Sequence, residues 1–210
     1  MKKISLLISI LCLVASSASA QLEKGSFLLG SSSTIAMGGG WGSELMSLGF
    51  SKTKYKQGTV TEDDYTMTYY NLLPRAGYFI IDNLIAGLEV VVSGYVEKDV
   101  NGDGTWKESL LAAGPFVRYY YPLDKVYPFV EAEFLFGAEN EDWLGDVNNA
   151  GVFLFSGFVG AGIPLGGKVT LDVLAGYSRM TETYKDEEDG GKEKYFTGGF
   201  AIRMGFSVYL

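Results

Sequence analysis

From residue 65 to residue 210, apolar side chains recur at every second position in runs separated by polar or glycine-rich breaks. The last run sets the pattern: Phe200, Ile202, Met204, Phe206, Val208 and Leu210 fall on one face, and Ala201, Arg203, Gly205, Ser207 and Tyr209 on the other. A period of two is the repeat of a β-strand. A soluble strand buries its large apolar face under a second layer, whereas a membrane barrel turns that face to lipid and keeps small and polar residues inside. Strands are predicted near 25–37, 65–81, 84–97, 109–121, 126–137, 151–163, 169–180 and 195–210.

The breaks come in two sizes. Asp82 to Asn83, Pro122 to Lys125 and Pro164 to Lys168 are tight, while 38–64, 98–108, 138–150 and 181–194 are long, polar and mostly acidic. Long and short connections alternate as extracellular loops and periplasmic turns do. The expected fold is therefore all-β, an eight-stranded antiparallel up-and-down transmembrane β-barrel. Leu45 to Tyr55 also has strand character; it is expected to extend the wall as a hairpin, because a ninth crossing would leave one terminus outside. A strand of about 11 residues tilted by about 40° covers roughly 28 Å, close to the apolar band of about 25 Å. Pro74, Pro115 and Pro128 fall inside predicted strands, where a missing ladder donor suggests bulges or strand ends.

Carrying the phase through each strand turns sets such as Leu84, Ala86, Leu88, Val90, Val92 and Val130, Ala132, Phe134, Phe136 outward. The inward sets then hold Arg75, Glu89, Arg118, Glu131, Glu133, Asp172 and Arg203. An Arg or Lys facing lipid at mid-depth costs about 2–4 kcal/mol. Eight strands enclose only enough room for side chains, so these seven, with Asn71, Ser156 and Tyr209, are read as a structural plug of paired charges. The rival reading is a gated ion path. Tyr78, Tyr119, Tyr121 and Tyr177 are candidates for an interfacial girdle.

Composition narrows the class. Hydrophobic residues make up 47% of the chain, yet no run beyond residue 20 is long enough for a spanning helix, which leaves a barrel as the membrane option. Met1 to Ala20, with Lys2 and Lys3, an apolar run from Ile4 to Val14 and a small-residue end at Ala18-Ser19-Ala20, reads as a signal peptide. Residues 21–210 are then the barrel domain. Cys12 lies in the leader, preceded by Ser9-Ile10-Leu11, which is not a lipoprotein cleavage box. The net charge of −8 becomes −10 once Lys2 and Lys3 are lost, and the chain has no His. No nucleic-acid partner is expected without a basic cluster.

Motifs that suggest chemistry have simpler explanations. Gly162 to Gly167-Lys168 approximates a phosphate loop, but Val169 replaces the required Ser or Thr and no helix follows; it is a turn. Asp99, Asn101 and Asp103 copy the first half of a calcium loop, yet Leu110 stands where Glu is needed. No cofactor or specific metal is expected, beyond loose divalent binding by acidic loops near lipopolysaccharide. The acidic runs Glu139 to Asp142 and Asp186 to Asp189 read as solvated loop surface that repels anions or attracts a basic partner. Without His, the usual proton shuttle near neutral pH, no enzyme is expected; Glu131 and Glu133 share a face but have no readable substrate cleft.

Two resemblances add to this. Arg203-x-Gly205-x-x-Val208-x-Leu210 resembles the terminal signal by which assembly machinery captures outer-membrane barrels, with Leu where an aromatic is commoner. Pro74 to Leu88, Gly114 to Tyr120 and Pro128 to Ala132 resemble the outer membrane protein beta-barrel domain family in the form common among Bacteroidetes. That resemblance implies an OmpA/OmpX-like barrel with no common activity. The expectation is a monomer in the bacterial outer membrane, both termini periplasmic and long loops extracellular, partnered by lipid, lipopolysaccharide and the assembly machinery. Its expected role is structural or surface-interacting; the alternatives are a narrow porin-like channel and an adhesin or surface receptor.

Overall fold

The computed structural model describes residues 22–37, 48–57, 60–99, 104–121, 123, 125–185 and 191–210. The leader at 1–20, Asn101, Asp103 and the acidic run 186–189 lie outside these. Among the described residues nine strands follow in order: β1 (Phe27–Met37), β2 (Leu48–Gln57), β3 (Val60–Ile81), β4 (Leu84–Asp99), β5 (Thr105–Tyr120), β6 (Tyr127–Trp143), β7 (Asp146–Gly166), β8 (Val169–Lys185) and β9 (Lys192–Tyr209). Every pairing is antiparallel, and β1 bonds to both β9 and β3, so eight strands close into a barrel.

β2 stands outside that ring. Among the described residues it pairs only with β3, and in the same sense as β1 does: Ser32 faces Leu73, and higher up Leu48 faces Tyr70. The hairpin anticipated at Leu45 to Tyr55 is thus an upward continuation of the wall, and the number of staves stays at eight.

The tight connection at Asp82-Asn83 is as read, with Asn83 at φ 65°, a conformation Asn tolerates better than most residues, whereas the one read at Pro164 to Lys168 narrows to Gly167 and Lys168 because β7 continues to Gly166. The long ones are shorter than expected. Of the stretch 138–150, only Leu144 and Gly145 form a turn, both at positive φ, as two-residue hairpins require. An acidic stretch with no apolar face looks like loop in sequence, but a neighbouring strand suffices to propagate the hydrogen-bond ladder through it. The prolines correct another expectation. Register is unchanged across Pro74 and Pro115, and Pro128 is the second residue of β6. The irregularities lie instead at Thr53/Lys54, Phe79/Ile81 and Pro164/Gly166. Ladder bonds alternate between the two neighbours, so one missing N–H weakens a single link without forcing an extra residue.

Candidate functional site: the barrel interior and its rim

The two faces of the wall differ as a membrane barrel requires. Outward are exposed side chains such as Leu88, Val130, Phe136, Val159, Phe200 and Phe206. Tyr78, Tyr119 and Tyr121 are exposed near the tight turns, while Tyr177 sits at the opposite edge of the belt, edge-to-face with Phe200. From Phe200 to Leu210 the apolar face of β9 spans roughly 26 Å at a tilt of about 40°. Arg179 of β8 is an outward charge that the strand phase did not anticipate. It lies two residues above Tyr177, with its guanidinium 4.9 Å from the Phe196 ring, at the edge of the belt where a long side chain can reach water.

Inside, all seven charges are buried and form a single alternating chain. Asp172 pairs with Arg118 at 2.6 Å, Arg118 with Glu131 at 2.5 Å and Glu131 with Arg75 at 2.7 Å. Arg75 meets Glu89, Glu89 meets Arg203 at 3.3 Å, and Arg203 closes on Glu133. Two links, Arg118 to Glu131 and Arg75 to Glu89, are register pairs on adjacent strands. The other four cross the lumen between strands three places apart. Alternating sign matters in a dehydrated space, where an unpaired charge costs several kcal/mol.

Neutral groups complete the chain. Arg118 Nη1 donates to Tyr120 Oη at 2.9 Å as well as to Asp172, Tyr120 meets Tyr209 at 2.9 Å, and Tyr209 lies 3.4 Å from Thr170 Oγ1, which donates to Asp172 at 2.7 Å. These bonds close a ring. Ser207 also donates to Asp172, at 2.8 Å. The guanidinium of Arg118 stacks 3.9 Å over Phe129, and that of Arg203 4.4 Å over Phe158, adding ring-face attraction where no water competes. Of the three neutral residues assigned to the plug from sequence, Tyr209 takes part. Ser156 bonds Ser178 instead, and Asn71 Oδ1 has no hydrogen-bond partner. Sequence phase missed Tyr120, Thr170 and Ser207, whose inward parity was readable but whose partners were not.

Apolar layers lie on both sides of the charges. Leu28, Phe79, Ile85, Tyr120, Phe129 and Tyr209 fill the tight-turn end, and Leu73, Val91, Leu110, Leu135, Val152 and Met180 the end above. A void of about 10 Å³ remains beside Arg75, Arg118, Asp172 and Ser207, the size of one water. Above the upper layer, Glu108, Glu139 and Glu182 face inward from β5, β6 and β8. Glu139 is 4% exposed, which corrects its reading as solvated loop surface. Its carboxyl is pushed up to about 10 by burial and then by Glu182 and Glu108, and that of Glu108 is raised for the same first reason. Asp99 is exposed at the end of β4, and among the described residues no group of carboxylates is arranged to hold a metal ion.

The sequence matches no family model and no curated protein. Among solved structures, the chain is similar to Neisserial surface protein A at 15% identity and a TM-score of 0.44, covering 88% of this chain and 99% of that one. It is also similar to the outer membrane protein OprG from Pseudomonas aeruginosa, at 12%, 0.45, 92% and 99% in the same order. The attachment invasion locus protein Ail of Yersinia pestis follows at 11%, 0.38, 89% and 99%. Likeness this distant assigns no activity.

Proposed function

We propose that this chain is a small bacterial outer-membrane β-barrel with a sealed lumen, acting as a structural element and presenting an interacting surface at its long-loop end. One observation carries the reading: the barrel is inverted, with aliphatic and aromatic side chains exposed outside and a continuous chain of seven ion-paired residues inside. In water such an exterior is an aggregation hazard; in lipid it is the stable arrangement. The residues before 21 are then a removed leader, both termini face the periplasm, and lipid and lipopolysaccharide are the first partners. The resemblance to the Bacteroidetes form of the outer membrane protein beta-barrel domain family fits this reading, as does a monomer captured for assembly through its last strand. On this reading the chain is not an enzyme.

Two measurements test it. The purified protein should migrate differently on gels before and after boiling, because a detergent-folded barrel keeps its shape until heated; unchanged migration points to a soluble β-sandwich. In planar bilayers it should carry no steady current, since apolar layers close the lumen above and below the charges. Steady currents that change in Arg118→Ala or Glu131→Gln would overturn the sealed lumen and make the chain a narrow channel.

A further inference from the structure

At the long-loop end, the inward face of the wall changes chemistry. Tyr95, Trp106 and Trp143, on β4, β5 and β6, form an edge-to-face series with ring centroids 5.7 and 6.0 Å apart. Tyr184 and Tyr195, on β8 and β9, make a second such pair at 5.6 Å. The strand phase that puts these rings inward also puts Glu97, Glu108, Glu139, Glu141, Glu182 and Glu193 inward. Bases at this level take the opposite phase: Lys98, Lys107 and Lys194 point outward, and Lys107 reaches Asp142 at 3.5 Å. Among the described residues the inner face here therefore carries acids and no base, while the outer face mixes both signs, as a solvated rim does.

At the floor of this cup, Glu139 Oε2 is buried and has no hydrogen-bond partner; higher up, beside Trp143, the indole N–H of Trp106 also has none. The groups facing Glu139 are Leu110 and Glu108 from β5, Glu141 from its own strand, Ala150 from β7, and Glu182 and Tyr184 from β8. Among the described residues none of them is basic. A cation reaching this crowded set of acids would meet carboxyls and rings and no competing base among the described residues, and pairing is what a dehydrated charge needs.

We infer that this cup binds an organic cation, an ammonium or guanidinium group, held by the Glu139, Glu108 and Glu182 carboxylates against the ring faces of Trp106 and Tyr95. The rings favour an organic cation over a metal ion, since aromatic faces attract ammonium and guanidinium groups, and among the described residues no group of carboxylates is arranged to hold a metal ion. The inference rests on the proposed surface-interacting role and supplies its chemistry. Burial and then the neighbouring Glu182 and Glu108 keep the Glu139 carboxyl protonated when no ligand is bound; an arriving cation displaces that proton, so binding tightens as pH rises. The cation is either a free polyamine or a Lys or Arg side chain of a basic protein.

The test is calorimetric titration of the full chain, folded in detergent, with spermidine and with hexa-arginine. Saturable binding by at least one is expected, tighter at pH 8 than at pH 6 and about tenfold or more weaker in Glu139→Gln and Trp106→Ala, each worth a charge-assisted or ring-face contact. Lys107→Gln, on the outer face, should bind as wild type. Stronger spermidine binding identifies a free polyamine as the source, stronger hexa-arginine binding a basic protein. The inference is overturned if neither binds, if both cup variants bind as wild type, or if MgCl2 at matched ionic strength competes as well as spermidine. Heat-dependent gel migration of each variant reports its fold separately, so the cup can fail while the barrel reading stands.

Discussion

The guanidinium of Arg203 grips the carboxylate of Glu133 through two bonds of 2.6 and 2.7 Å, joining β9 to β6 across the inside of the barrel. A parallel pair of bonds fixes both groups in orientation as well as distance. The same Arg203 Nη1 reaches Glu89 at 3.3 Å, so one side chain ties three strands that share no backbone ladder.

Arg203→Met should therefore be worse than Glu133→Gln. The first leaves Glu133 buried with no base and Glu89 with Arg75 alone, at a cost of about 3–5 kcal/mol. The second leaves Arg203 still paired with Glu89. Urea midpoints read from heat-dependent gel migration should fall in that order, and equal midpoints would show that the crossing bonds carry no stability of their own.

Tyr209 closes the hydrogen-bond ring between Tyr120 and Thr170. Tyr209→Phe keeps the ring packing but removes the hydroxyl, so a loss of about 1 kcal/mol is expected. Arg118 retains Asp172 and Glu131 in that variant, so a fall as large as that in Arg203→Met would contradict the alternating chain as the main tie.

An arginine scan of the outer wall should trace the membrane band. Val159 is 63% exposed in the middle of the outward face of β7, and Val147 is 55% exposed near its top. Val159→Arg should cost about 2–4 kcal/mol in lipid and Val147→Arg close to nothing. Equal effects in folded vesicle samples would remove the membrane assignment of the belt.

The ring of eight strands and the inward face were legible because lipid contact imposes a strict period of two, which persists wherever the wall meets the belt. Arg75 and Glu89 could be placed by that phase alone. Their link could not, because register between β3 and β4 depends on the Asp82-Asn83 turn and on the bulge at Phe79/Ile81. Above the belt the rule lapses. Glu139 to Asp142 then reads as loop, although β6 runs through it to Trp143, and Glu139 is buried by neighbours on β5 and β8 that no local pattern announces. β2 was visible only as an isolated strand-like stretch, since its place depends on the free upper edge of β3.

The same cluster predicts how stability depends on pH. The Glu139 carboxyl is pushed up to about 10 from an ordinary 4.5, first by burial and then by Glu182 and Glu108. The folded chain therefore holds this proton more tightly than the unfolded chain does. Wherever the native state binds more protons, stability falls as pH rises, so the contribution is complete below about pH 4.5 and is lost on the way up to about 10. The urea midpoint should decline steadily between pH 5 and pH 9, as the unfolded chain releases this proton while the folded chain must keep it. Glu139→Gln cannot ionise and should flatten that decline while lowering the midpoint little at pH 5, where the wild-type carboxyl is also neutral. A decline of the same steepness in Glu139→Gln would assign it to other groups and leave the buried carboxyl without a part in holding the upper wall together.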